Sequence, residues 1–259
     1  MTLTVPREDI LTLPPPAADL RLAYGKDASQ FFDLRLPKTG GRFPVVMNIH
    51  GGFWRAKYDL AHAGHLCAAL TAKGIATWNL EYRRVGNAGG GWPGTFEDVV
   101  NAYRFLLQNA KRYDLDAARM VLMGHSAGGQ LALCLAGHEP SAKRAISLAG
   151  VVDLQKAFDL HLSNDAVVEF LGGKPKEIAD HYQEADPMQL NSKAVQWLIH
   201  GTADDVVPAW LSRGYVEQKK KRGEDVHLLE IPQAGHFDLI DPHSEAWPRV
   251  EATLVNLLS

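Results

Sequence analysis

Along this chain, short apolar runs rich in β-branched residues alternate with longer stretches whose apolar positions recur three or four residues apart. The first kind reads as strands and the second as amphipathic helices. Residues 44–50 (P-V-V-M-N-I-H), 75–82, 119–123, 145–151, 195–200 and 226–231 are runs of the strand kind, typical of strands covered on both faces. Residues 20–24 and 31–36 flank a turn at Gly25-Lys26-Asp27 and read as a hairpin. Helical spacing marks 59–73, with Leu60, Leu66, Cys67 and Leu70 on one side and Gly74 at the C-cap. It marks 95–108 through Phe96, Val99, Tyr103 and Leu106, and it recurs over 128–136, 209–220 and 243–258. This alternation predicts an α/β fold, a mostly parallel central sheet of about eight strands with helices on both faces. Residues 1–20 are Pro-rich and aperiodic, and are expected to wrap the surface.

One segment breaks the rhythm. Residues 153–192 contain no strand pattern, only two helical patches near 165–171 and 176–184 around Gly172-Gly173-Lys174-Pro175. The segment is too short and too polar to hold a core of its own. The expectation is one domain over residues 1–259 with 153–192 as a small cap-like insertion. Ligands of open α/β sheets bind outside the strand C-termini, so this insertion is expected to shape the pocket.

Composition narrows the classes. Hydrophobic residues make up 46% and charged residues 22%, ordinary for a globular chain. The net charge is −3, and the single basic cluster, Lys219-Lys220-Lys221-Arg222, suits a helix end, so no nucleic-acid partner is expected. No apolar run reaches the roughly 18 residues of a membrane span. The opening MTLTVPREDILTLPPP lacks the pattern of a secretory signal. The two cysteines, Cys67 and Cys134, sit in apolar helical contexts and read as free core thiols. Together these features predict a cytoplasmic protein without a membrane partner. With no C-x-x-C, H-E-x-x-H or phosphate-loop pattern, neither a metal nor an organic cofactor is expected.

The chemistry centres on residues 119–130, R-M-V-L-M-G-H-S-A-G-G-Q. An apolar strand stops at Gly124-His125-Ser126-Ala127-Gly128, and a helix pattern follows. Such a strand-to-helix turn forces its central serine into a strained backbone and exposes the hydroxyl above the sheet. A serine is a poor nucleophile without a base, and the base needs an acid to orient it. Strand 195–200 is followed by Gly201-Thr202-Ala203-Asp204-Asp205, which offers an acid at either aspartate. Strand 226–231 is followed by Gly235-His236-Phe237, which offers the base. The order Ser, Asp, His after successive strands suits this kind of fold. Strand 44–50 runs into Gly51-Gly52-Phe53-Trp54, so the amides of Gly52, Phe53 and Ala127 are candidate oxyanion donors. Trp54, Trp92 and Phe237 are candidate pocket residues. Glu81, Arg83 and Asp98 read as a structural polar network, His50 and His200 as structural strand-end residues, and His125 as directed away from the chemistry.

Together H-G-G-F-W, E-Y-R-R, G-H-S-A-G-G, H-G-T-A-D-D-V-V-P and G-H-F resemble the α/β-hydrolase superfamily, over about residues 20–258. The branch is that of small carboxylesterases and arylformamidases. The resemblance implies Ser126 as nucleophile, Asp204 as acid and His236 as base, with Asp204 preferred over Asp205 because it matches H-G-x-x-D-x-x-V-P. Phe53 stands where lipase-like esterases with H-G-G-G carry a third glycine. The activity implied is hydrolysis of a small acyl ester through an acyl-enzyme. The alternatives are an arylformamidase opening N-formylkynurenine and a ligand receptor on a hydrolase scaffold. A small-molecule ester or amide is the expected partner.

Overall fold

The computed structural model describes residues 9–259; the expected course of residues 1–8 lies outside it. A short helical turn, α1 (Asp9–Thr12), precedes the hairpin of β1 (Leu20–Ala23) and β2 (Phe31–Arg35). The parallel part then unfolds as β3 (Phe43–Ile49), α2 (Gly64–Ala72), β4 (Ala76–Leu80), α3 (Gly94–Asn109), β5 (Leu115–His125), α4 (Ala127–His138) and β6 (Arg144–Leu148). Three helices, α5 (Leu154–Asp159), α6 (Ala166–Leu171) and α7 (Ala179–Ala185), separate β6 from β7 (Val195–Gly201). The chain ends with α8 (Trp210–Lys221), β8 (Val226–Ile231) and α9 (Trp247–Leu258).

The eight strands form one sheet in the order β1-β2-β4-β3-β5-β6-β7-β8. β2 runs antiparallel to both β1 and β4, and every other pairing is parallel. Alternate residues of the central strands feed two different cores, as period-two geometry requires. Val45, Met47 and Leu122 pack with α3, α4 and α8, while Val46, Val121 and Met123 pack with α2 and α9. Each fully buried aliphatic side chain here contributes about 1.5–3 kcal/mol. Both faces are thereby closed to solvent, which is why the inner strands read as unbroken apolar runs.

The order reverses at β3. From β3 the chain steps outward to β4, then returns across to β5 on the other side. The connections leaving β3 and β5 diverge there, opening a crevice at their C-terminal ends, where open α/β sheets bind ligands.

Several boundaries depart from the sequence reading. β5 begins at Leu115 rather than 119, because L-D-A-A-R has neither the unbroken apolar run nor the strict alternation of a strand; its pairing with β3 shifts register between Pro44 and Val45. The helix expected over 59–73 opens with a 3-10 turn, Leu60–Ala63, capped by the Asp59 carboxylate. α5 has no counterpart among the helical patches expected in 153–192. The basic cluster also differs from a merely solvated end. Lys219 is buried, pairs with Glu224 at 3.2 Å and donates to the Leu190 carbonyl.

Candidate active site

Ser126 sits at the junction of β5 and α4 with φ 56° and ψ −121°. A non-glycine residue at such a φ is strained, and the surrounding contacts must hold it there. The Ser126 amide donates to the Leu148 carbonyl at 2.8 Å, and its carbonyl accepts from Gly129 at 3.0 Å and Gln130 at 3.2 Å. The glycines have a steric reason. A Cβ on Gly124 would lie 2.1 Å from the Gly128 carbonyl oxygen, and one on Gly128 would lie 2.0 Å from that of Ile49.

Register brings the next loop alongside. Ile49 pairs with Gly124, so the chain leaving β3 passes beside the serine turn. A Cβ on Gly51 would stand 2.8 Å from the His125 carbonyl oxygen and 3.0 Å from the Ser126 Cβ. Three consecutive left-handed residues follow, Gly52 at φ 108°, Phe53 at 49° and Trp54 at 56°. The amides of Gly52, Phe53 and Ala127 donate to no protein acceptor among the described residues. They are free to meet a developing oxyanion, with the N-terminus of the twelve-residue α4 adding its favourable field.

Opposite lie the loops after β7 and β8. His236 Nδ1 stands 2.7 Å from Asp204 Oδ2. The other Asp204 oxygen accepts from the amides of Val206 at 2.9 Å and Val207 at 2.8 Å. Burial alone would raise this carboxyl, but the hydrogen bonds from His200 and His236 outweigh it and hold the group well below the usual carboxylate range. An ionised carboxylate only accepts, so Nδ1 of His236 carries the proton and Nε2 is left free to take one. Asp205 is exposed and makes none of these bonds.

Ser126, His236, Gly52, Phe53 and Phe237 line one cavity of about 390 Å3, together with Ser163 from the insertion. A wider depression of about 620 Å3 around Leu107 and Ala118 contains none of the candidate groups. Trp54 and Trp92, expected as pocket residues, lie outside the cavity. Trp54 is fully buried, stacks on Phe170 at 4.5 Å, and donates from Nε1 to Gln130 at 3.0 Å. Trp92 stacks on Phe96 at 5.3 Å. Both indoles serve packing.

Three neighbours escaped the sequence reading. His125 turns toward the chemistry, not away: it lines the cavity, and its Nε2 donates to the His236 carbonyl at 3.0 Å. Burial, and then the nearby His236, push its pKa well below the ordinary value, so it stays neutral. His200 Nε2 donates to the Val207 carbonyl at 2.8 Å and lies 3.2 Å from Asp204 Oδ2, while its Nδ1 meets Ser212 Oγ at 2.7 Å. His62, also on the cavity wall, is pushed down to about 3, chiefly by burial and next by His50. No motif announced these roles, because an imidazole's direction depends on tertiary contacts. The residues expected to be structural stand in two networks: Glu81 meets His50 at 3.1 Å and Arg84 at 3.1 Å, and Arg83 pairs with Asp98 at 2.7 Å.

Sheet order and sharp serine turn define an α/β-hydrolase. The chain belongs to the BD-FAE family, whose model matches residues 32–218. It is similar to Esterase LipC of Mycobacterium tuberculosis, 26% identical over 247 residues, covering 85% of this chain and 60% of that protein. It is also similar to the isoprenylcysteine alpha-carbonyl methylesterase ICME of Arabidopsis thaliana, 26% identical over 247 residues, covering 84% of this chain and 56% of the relative. The chain thus spans little more than half the length of these curated relatives. Its fold matches a truncated form of carbohydrate esterase from gut microbiota with a TM-score of 0.81 at 21% identity, over 95% of this chain and 99% of that one. The expected resemblance to the α/β-hydrolases stands, and these similar proteins are esterases by name; the arylformamidase side finds no specific support among them. Among the described residues, no helix is long and apolar enough to cross a membrane.

Proposed function

We propose that this chain is a serine carboxylesterase that cleaves small acyl esters through an acyl-enzyme, with Ser126 as nucleophile, His236 as base and Asp204 as orienting acid. The observation that carries this reading is the 2.7 Å contact between an ionised Asp204 and Nδ1 of His236, whose ring lines the same cavity as Ser126 in its strained turn.

His236 Nε2 takes the Ser126 proton as Oγ attacks the carbonyl carbon. The new oxyanion is met by the amides of Phe53 and Ala127, with that of Gly52 adjoining. Asp204 keeps the imidazole in the required tautomer and stabilises the imidazolium that forms. The tetrahedral intermediate collapses, and His236 returns the proton to the departing alcohol. Water then enters, gives its proton to His236 and attacks the acyl carbon, and Ser126 Oγ leaves with that proton. Removing one oxyanion donor costs on the order of 100–1000-fold in rate.

The segment 153–192 supplies Ser163 to the cavity wall, which supports reading it as a cap over the pocket. Cys67 and Cys134 are free and buried, which supports a reducing, cytoplasmic setting. The similar proteins are esterases, which favours ester over formamide chemistry.

The test is hydrolysis of p-nitrophenyl acetate, butyrate and octanoate beside N-formylkynurenine, for the wild type and Ser126→Ala. The expected result is turnover of the esters that is lost in the variant. Full ester turnover by Ser126→Ala would overturn the proposal, and a dominant kcat/KM on N-formylkynurenine would replace the ester with the formamide.

A further inference from the structure

We infer that Arg55 is a positioning residue: its guanidinium clamps the oxyanion loop to the insertion, and so sets both the reactivity of Ser126 and the wall that the acyl group meets. The inference rests on the serine-esterase reading above.

Two strained segments face each other across this side chain. On one side is the left-handed run Gly52, Phe53 and Trp54, closed by the Arg55 amide donating to the Gly52 carbonyl at 3.1 Å. On the other, four of five consecutive residues are left-handed without being glycine: His161 at φ 52°, Ser163 at 50°, Asn164 at 54° and Asp165 at 59°. Each such residue costs on the order of 1–3 kcal/mol and persists only where its surroundings over-determine it. Arg55 ties the two together: its backbone amide closes the first segment on Gly52, and all three side-chain nitrogens hold the second. Nη1 donates to Ser163 Oγ at 2.9 Å, Nη2 to the Ser163 carbonyl at 2.8 Å and the Asn164 carbonyl at 3.3 Å, and Nε to Glu169 at 2.7 Å. Ser163 lines the cavity, while Phe53 carries a candidate oxyanion amide. Any shift of the fork therefore moves both.

Magnitudes separate this role from simple stabilisation. The side chains of Arg55 and Glu169 are 26% and 46% exposed, and an ion pair that wet contributes about 0–1 kcal/mol. Global anchoring of the insertion comes instead from Trp54 stacked flat on Phe170, inside the core. Loss of the clamp should therefore leave the fold standing and disturb geometry, where a displacement of about 1 Å can cost 100-fold in rate.

The experiment is burst titration with a p-nitrophenyl alkylphosphonate, which counts competent Ser126, followed by kcat and KM per titrated site on p-nitrophenyl acetate and octanoate. Wild type, Arg55→Met and Arg55→Lys are compared. The expected outcome is one titratable serine per chain in all three, with Tm shifts within about 3 °C. Per-site kcat on acetate falls about 10–100-fold in Arg55→Met. The acetate-to-octanoate ratio of kcat/KM changes at least threefold. Arg55→Lys does not restore wild-type values, because an ammonium lacks the planar fork that spans two carbonyls and a carboxylate. Wild-type rates per titrated site in Arg55→Met would overturn the proposal, as would full rescue by lysine. So would activity that falls only in proportion to the titrated fraction. If Arg55→Met does not accumulate, Glu169→Ala removes one arm of the clamp and must shift the acyl ratio in the same sense; an unchanged ratio overturns the proposal. A wild-type enzyme that gives no burst instead removes the underlying assignment of Ser126.

Discussion

Asp204 and Asp186 flank the same strand, β7, and both side chains are shut away from water, yet they are driven in opposite directions. Asp204, after the strand, meets His236 at 2.7 Å and His200 at 3.2 Å and accepts two backbone amides. Asp186, before the strand, is pushed up to about 7: burial dominates, the Met188 amide at 3.0 Å offsets only part of it, and nearby Asp153 adds repulsion. Burial is common to both, so burial cannot set the sign. Partners set it: the side that has imidazole partners holds a standing negative charge, which is what the proposed mechanism asks of Asp204.

The comparison breaks most visibly at Asp204. Asp204→Asn keeps shape but loses the charge that orients and stabilises His236. The expected loss in kcat is on the order of 10,000-fold with p-nitrophenyl acetate. A loss under about tenfold would mean that the carboxylate is structural here.

Next comes stability against pH. An unfolded aspartate titrates near 4. Asp186 keeps its proton to about 7, so the folded state binds more protons than the unfolded state between those values. Its contribution is present below about pH 4 and is lost as pH rises through about 7, on the order of 2–4 kcal/mol. Asp204 runs the other way: its contribution is present above the unfolded pKa and is lost as pH falls through its depressed folded pKa. Urea unfolding of Asp186→Asn from pH 5 to 8 should show a flatter profile than wild type and a gain at pH 8. An unchanged slope would mean that Asp186 is ionised in the fold.

The smallest expected effect sharpens the comparison. His200→Gln removes one of the two imidazoles on Asp204. The His200 Nε2 also points at the Val207 carbonyl, at 2.8 Å, so the loss sits at the low end for a hydrogen bond to a charged group, about 1.5 kcal/mol, or about tenfold in kcat. A full-strength His200→Gln enzyme would leave His236 and the two amides as sufficient support.

Legibility in the sequence followed the same divide between local and tertiary causes. β3 and the serine turn were readable because V-V-M-N-I-H and G-H-S-A-G express steric needs in adjacent letters. Asp204 and His236 were readable because each closes a strand. His125, His200 and Arg55 were not: the partners of His125 and Arg55 lie 111 and 108 residues away in sequence, and His200, though only four residues from Asp204, is aimed by Ser212 Oγ, 12 residues on. Trp54 misled for a related reason. Its place after the oxyanion glycines suggested substrate contact, while its ring had been claimed by Phe170 and Gln130 from elsewhere in the chain. Lys219 reads as a surface lysine until Glu224 and the Leu190 carbonyl are seen around it.

Gly128 carries one more consequence. The atoms that a side chain there would strike are carbonyl oxygens of Ile49 and His50, at 2.0 and 2.6 Å, at the end of a strand pinned on both sides. No rotamer change can make room, so at this position the amino-acid alphabet contracts to a single letter. Residues 161–165 are held differently, by the Arg55 side chain on the Ser163 and Asn164 carbonyls, atoms that can shift where a backbone clash cannot. A lineage or an engineer seeking new substrates would meet the serine turn as a fixed point in sequence space.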